Sequence, residues 1–291
     1  MFSGSLVALV TPFKDSRLDI AGLQKNIQFL LLNGASGLVP CGTTGESPTL
    51  SFEEWETVIA TTVAAVNKQV PVIPGSGANS TAKTIDLTRR VEELGADGAL
   101  VVSPYYNKPT QEGLYRHFRA VAESVQIPLV LYNIPSRTGV NILPETLERL
   151  SRDCPNIKAV KEAAGSIDQA SEIIMRCGGR LTLLSGDDSM TLPMLAVGGK
   201  GVVTVIGNIV PRDVAHLCEF MLSGRTAEAL ELHHRLLPLC KALFVETNPI
   251  PIKVAMNMLG MPAGALRLPL CEPGEANKRV IEIALRKYSL L

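Results

Sequence analysis

Residues 129–163 read LVLYNIPSRTGVNILPETLERLSRDCPNIKAVKEA and hold one complete structural unit. The run LVLYN, from Leu129, is short and rich in apolar and aromatic side chains, which predicts a strand. Pro144 then opens a stretch that must end before Pro155, because proline suits the first turn of a helix and stops the helix that precedes it. A second apolar run, IKAVK, starts at Ile157. Strand, helix and strand within this distance make a parallel crossover unit.

The same unit recurs on both sides. Apolar runs begin near Leu6, Gly37, Val70, Gly98, Leu129, Ile157, Leu181 and Gly201, spaced by 20 to 33 residues. Eight such runs predict a closed α/β (β/α)8 TIM barrel. The runs are almost wholly apolar, as parallel strands covered on both faces must be. Between them the helix signals are legible. Ser51 and Glu54 form a capping box that opens a helix through about Asn67, with Trp55, Val58, Ile59 and Thr62 on one stripe. Another helix runs from about Thr81 to Leu94-Gly95. Beyond Gly224 the rhythm stops, and residues 225–291 read as helices alone, near 226–243, 250–260 and 275–288. The expected organisation is a catalytic barrel over 1–224 and a C-terminal helical appendage over 225–291. An open doubly wound sheet would carry a glycine-rich nucleotide loop after its first strand. Here that strand is followed by Thr11-Pro12-Phe13, and neither a G-x-G-x-x-G nor a P-loop pattern occurs.

Composition narrows the function. Lys+Arg and Asp+Glu number 28 each, for a formal net charge of zero, which argues against nucleic acid or an anionic membrane as partner. Apolar residues make up 46% and charged ones 19%, a well-packed globular chain whose neutral surface favours self-association. The six cysteines show no C-x-x-C spacing and predict reduced, buried thiols rather than disulfides or a metal site. The N-terminus lacks a basic segment, and no window holds the roughly 18 uncharged apolar residues of a membrane span. A cytoplasmic protein is expected.

In a barrel of this kind the chemistry sits where the strands end. Lys161 closes the sixth run; alternation places it with Ile157 and Ala159 on one face, among apolar neighbours at the barrel mouth. Desolvation there favours the neutral amine, a nucleophile toward a carbonyl carbon, so the implied chemistry is an imine. The plain alternative is a lysine that snorkels outward or pairs with Glu162. Tyr132 closes the neighbouring run and suits acid/base work beside an imine lysine, against the alternative of a packed tyrosine. Thr43 and Thr44, in a glycine-flanked turn, offer hydroxyl and N–H donors for a carboxylate, or else form an ordinary turn. Arg137 presents a planar fork for a second carboxylate, or else is a solvated loop arginine.

GTTGES at 42–47, SPYYNKPTQEG at 103–113, YNIPSRTG at 132–139, VKEA at 160–163, LLSGDD at 183–188 and NPIPIK at 248–253 occur together and in order. With these motifs the whole chain resembles the dihydrodipicolinate synthase family of the pyruvate-dependent class I aldolases. The resemblance implies that Lys161 condenses with pyruvate and that Tyr132 shuttles protons. It further implies a relay through Thr43 and through Tyr106 of an adjacent subunit. Thr44 and Gly186 would line the pyruvate pocket with the backbone of Val203, and Arg137 would bind the carboxylate of aspartate semialdehyde. The implied sequence is imine, enamine, attack on the aldehyde, transimination and release of a cyclic product in the diaminopimelate and lysine pathway. No metal or organic cofactor is called for. If Tyr106 completes a neighbour's site, the protein is a homo-oligomer, expected as a tetramer built as a dimer of dimers.

At the positions where inhibited members of the family bind lysine, this chain keeps Ser47, Asn79 and Tyr105. It carries Phe52 and Trp55 in place of histidines and Lys83 in place of a glutamate. A cation there repels the lysine ammonium, so weak or absent lysine feedback is expected. Two other readings stand beside the synthase. One is a sister aldolase such as N-acetylneuraminate lyase or a 2-keto-3-deoxy sugar acid aldolase, which shares the lysine, the tyrosine and the glycine-rich loop. The other is a non-catalytic paralogue that binds a keto acid, whose cheap signature would be loss of Lys161 or Tyr132. His117, His216, His233 and His234 are given no role.

Overall fold

The computed structural model describes residues 2–291. Its core is a parallel sheet of seven strands: Gly4–Ala8, Gly37–Val39, Ala99–Val102, Leu129–Asn133, Ile157–Glu162, Thr182–Ser185 and Gly201–Thr204. These match seven of the eight runs read from the sequence. The eighth, at 70–75, closes the barrel without becoming a regular strand. It touches one edge of the sheet through Leu38 and Val72, and the other through Gly75 and Leu100. The reason lies in its sequence, VPVIPG. Pro71 and Pro74 have no N–H to give a ladder, yet their carbonyls accept from Leu38 N at 2.9 Å and Leu100 N at 2.8 Å. Two prolines thus thin the hydrogen bonding on this strand while leaving the ring of strands complete.

Side chains alternate between two cores. Leu6, Val39, Ile73, Leu100, Val130, Ala159, Leu184 and Val203 fill the barrel, whereas Val7, Leu38, Val101, Leu131, Val160 and Leu183 face the surrounding helices. The strand that carries Lys161 departs from this rule at its start. Leu129 pairs with Ile157 but Val130 pairs with Ala159, so Lys158 is an extra residue and the strand bulges there. Ile157 therefore joins the outer core, and the expected shared face of Ile157, Ala159 and Lys161 holds only for the last two.

The helices fall where the signals place them. Phe52–Val66 starts on the Ser51–Glu54 capping box, Thr81–Glu93 is capped by Ser80, and Pro144–Asp153 begins with its proline. The tail forms helices Thr226–Ala242, Ile250–Met258 and Glu275–Lys287. It shares one core with the barrel: Leu232, Leu236, Ile252 and Ile281 pack with Val10, Val202, Val205 and Ile206. A change of topology at residue 224 is thus not a change of core. Five cysteines are buried as expected, but Cys271 lies exposed in the tail. No helix among the described residues is long and apolar enough to cross a membrane.

Candidate active site

Lys161 sits next to last on its strand and pairs in register with Tyr132 on the neighbouring one. Its side chain enters the barrel mouth and is only 6% exposed. The ammonium nitrogen lies over the Tyr132 ring, 4.0 Å from its centroid. No carboxylate among the described residues forms an ion pair with it. Burial consequently pushes its pKa down from 10.5 to about 7, with Asp188 opposing the shift and Arg137 adding to it. Pairing with Glu162 does not occur. The Glu162 carboxylate is fully buried and taken by Asn133 Nδ2 at 3.0 and 3.1 Å, Ala164 N at 2.7 Å and Gln169 Nε2 at 3.2 Å.

Tyr132 is shifted the other way. Burial raises its phenol to about 12, against the pull of Arg137 and of a hydrogen bond with Thr43. Amine and phenol are therefore driven apart: near neutral pH about half of the amine is free of its proton while the phenol keeps its own. Gly186 makes the close approach behind Lys161 possible. A Cβ there would lie 2.7 Å from Ala163 Cβ, 3.0 Å from the Glu162 carbonyl oxygen and 3.2 Å from Lys161 Cγ. Val203 lines the barrel interior on Gly201–Thr204, two strands along from Lys161.

The turn after Gly37–Val39 carries the two threonines. Thr44 is buried, Thr43 partly so, and their backbone N–H groups find no acceptor among the described residues. Arg137, on the short helix Pro135–Thr138, is exposed at the rim. Its guanidinium is held by the tail, donating to Thr247 Oγ1 at 3.1 Å and to the Asn248 carbonyl at 3.0 Å. A cavity of about 510 Å³ opens beside them, lined by Thr43, Tyr132, Ile134 and Arg137 among others, while Lys161, Thr44, Gly186 and Val203 lie outside its lining. Its far side is walled by Ser47, Phe52, Trp55, Lys83 and Tyr105. Phe52 stacks on Trp55 with centroids 5.8 Å apart, and the Trp55 indole N–H donates to the Gly75 carbonyl at 3.0 Å. Asn79 stands nearby, its carbonyl accepting from Asn107 Nδ2 at 2.8 Å.

Tyr106 is not gathered in. It is 89% exposed with φ of +74°, a left-handed backbone that projects the ring away from the body of its own chain. Three further residues lie inside the quoted motifs but are given no role there. Asp188 is buried, accepts from Val205 N at 2.9 Å and Ile206 N at 3.1 Å, and has its pKa raised to about 6 by burial. Asn248 donates from Nδ2 to Thr44 Oγ1 at 3.0 Å. Lys253 reaches Glu46 in the same turn at 2.6 Å. The only signals for the last two were their place in NPIPIK and the glutamate of GTTGES. No cluster of three or more metal-ligating side chains occurs among the described residues.

A parallel barrel with a desolvated lysine at the mouth and a protonated phenol beside it has the layout of a lysine-dependent carbonyl lyase. Residues 1–287 match the model of the Dihydrodipicolinate synthetase family, and the chain belongs to that family. It is 53% identical over full length to 4-hydroxy-tetrahydrodipicolinate synthase of Syntrophobacter fumaroxidans, and 51% to that of Methanocaldococcus jannaschii, all of each chain being covered. The crystal structure of dihydrodipicolinate synthase from Aquifex aeolicus superposes with a TM-score of 0.98 at 50% identity, over 99% of each chain.

Proposed function

We propose that the protein is a lyase-type synthase that condenses pyruvate with L-aspartate 4-semialdehyde, the 4-hydroxy-tetrahydrodipicolinate synthase reaction of diaminopimelate and lysine biosynthesis. The observation that carries this reading is the Lys161 amine, buried, free of any ion pair and set over Tyr132. The amine attacks C2 of pyruvate and the oxygen leaves as water, forming an imine. Loss of a methyl proton yields an enamine, whose carbon attacks the aldehyde. The substrate's own amine then displaces Lys161, releasing a cyclic product and restoring the free lysine. Tyr132, still a phenol at neutral pH, donates and recovers protons at the oxygens, with Thr43 as its relay. Thr44 and Gly186 with the Val203 backbone hold the pyruvate, and Arg137 takes the carboxylate of the second substrate. The imine itself is the electron sink, so the chemistry needs no metal or organic cofactor.

Tyr106 enters this scheme as a residue for a neighbour. An aromatic 89% exposed at a left-handed turn beside the pocket rim is suited to cap a partner's relay, which requires at least a dimer. A dimer of dimers follows if a second face also pairs. The cytoplasm, where pyruvate is formed, is the fitting compartment. A coupled assay with pyruvate and aspartate semialdehyde should show turnover, and sugar-acid substrates little or none. The reverse preference would instead make this a sister aldolase.

The wall of Ser47, Phe52, Trp55, Lys83 and Tyr105, together with Asn79, forms a degenerate effector site. Lys83 is exposed in the first turn of Thr81–Glu93, where the helix dipole adds to its positive charge. No carboxylate lines this wall, so its one formal charge is a cation that repels a lysine ammonium. Calorimetry should find lysine binding weaker than about millimolar, a threshold of roughly 4 kcal/mol; tighter binding would refute the degenerate site.

A further inference from the structure

We infer that Asn248 is the positioning residue that fixes the donor direction of Thr44 for pyruvate while tying that subsite to Arg137. The inference rests on the pyruvate reading above and deepens it. Asn248 is 8% exposed and precedes the helix Ile250–Met258. Its side-chain Nδ2 donates to Thr44 Oγ1 at 3.0 Å, and its main-chain carbonyl accepts from Arg137 at 3.0 Å. One residue therefore touches the donors assigned to both substrate carboxylates, by two different groups.

The consequence for Thr44 is a matter of hydrogen-bond roles. A threonine hydroxyl has one proton and two acceptor lone pairs. An amide N–H that occupies an acceptor position leaves the hydroxyl proton to point elsewhere, and a carboxylate in the pocket is an acceptor that takes it. Without Asn248 the hydroxyl is free to turn its lone pairs toward the same carboxylate, which is repulsive. Burial keeps water from competing for the bond, so the orientation is well defined. Arg137 is set differently. Its contact is with the backbone, and no side-chain change at Asn248 removes that carbonyl.

Side-chain variants thus separate the two substrates. Asn248→Ala should raise the KM for pyruvate about tenfold, the scale of one oriented hydrogen bond, and leave the KM for aspartate semialdehyde and kcat within about twofold. Asn248→Asp should be worse, about a hundredfold in the pyruvate KM, because its carboxylate accepts the Thr44 proton and repels the substrate. Both should still form a borohydride-stable adduct at Lys161 when pyruvate is saturating. Equal rises in both KM values together with a lowered melting temperature would show a merely structural role and overturn the inference. So would an Asn248→Asp variant as effective as the parent. Failure of the parent protein itself to form the adduct would overturn the pyruvate reading, and this inference with it.

Discussion

Lys161→Ala should gain no mass when incubated with pyruvate and reduced with borohydride, whereas the parent protein should gain one pyruvate-derived group at Lys161. Turnover should fall by a factor on the order of 10⁴, the scale on which loss of a covalent nucleophile is felt. The fold should survive. Lys161 has no ion pair to leave behind, and removing a desolvated amine relieves a burial cost rather than stranding a partner. The pH dependence follows from the same burial. Only the neutral amine attacks, so trapping should rise from pH 6 to 8 with a midpoint near the value of about 7 and flatten above it. At an ordinary lysine pKa only about one amine in 3,000 would be free at neutral pH. Mass spectrometry of the reduced protein over that range reads both results. An adduct on Lys161→Ala, or a trapping midpoint near 10, would be decisive against the mechanism.

What made this legible in advance is unevenly spread along the chain. Strands covered on both faces must be apolar, and helices need caps, so LVLYN, the Ser51 box and Pro144 announce themselves locally. The register of the Lys161 strand did not. A bulge at Lys158 depends on how two strands meet, and no periodicity within IKAVK reveals it. The strand at 70–75 shows a similar limit: its apolar pattern marked a barrel position, while Pro71 and Pro74 determined that it would close the ring by bridges. Lys161, Tyr132, Thr43, Thr44 and Arg137 could be named because strand ends converge in a barrel whatever the loops do. Asn248 and Lys253 could not, since each acts across some 200 residues of sequence. They read as part of a tail outside the catalytic rhythm, yet that tail holds the donors in place.

The tail's deepest hold is an ion pair. Lys253 is 1% exposed and Glu46 2%, and their charged atoms are 2.6 Å apart. Lys253 also donates to the Ala265 carbonyl at 2.8 Å and lies over the Phe13 ring; Glu46 accepts from Arg267 N at 3.0 Å. Burial pushes the Lys253 amine below its ordinary value while Glu46 pulls it back up, so each charge depends on the other to stay buried. Glu46 adopts φ of +53° and donates its N–H to the Thr43 carbonyl at 3.1 Å, which connects the pair to the turn that presents Thr43 and Thr44. Lys253→Met leaves a carboxylate without its counter-ion in the interior, a loss of about 3–5 kcal/mol. The melting temperature should drop by roughly 10 °C, since about 1 kcal/mol moves a chain of this size by a few degrees. The pyruvate KM should rise as the turn loosens. Glu46→Gln with Lys253→Met removes both charges, and should recover much of the lost stability, giving a coupling of about 2 kcal/mol in the double-mutant cycle. Melts of the two single variants and the double variant measure it. A Lys253→Met protein that melts within about 2 °C of the parent would mean that the pair contributes nothing to holding the catalytic turn.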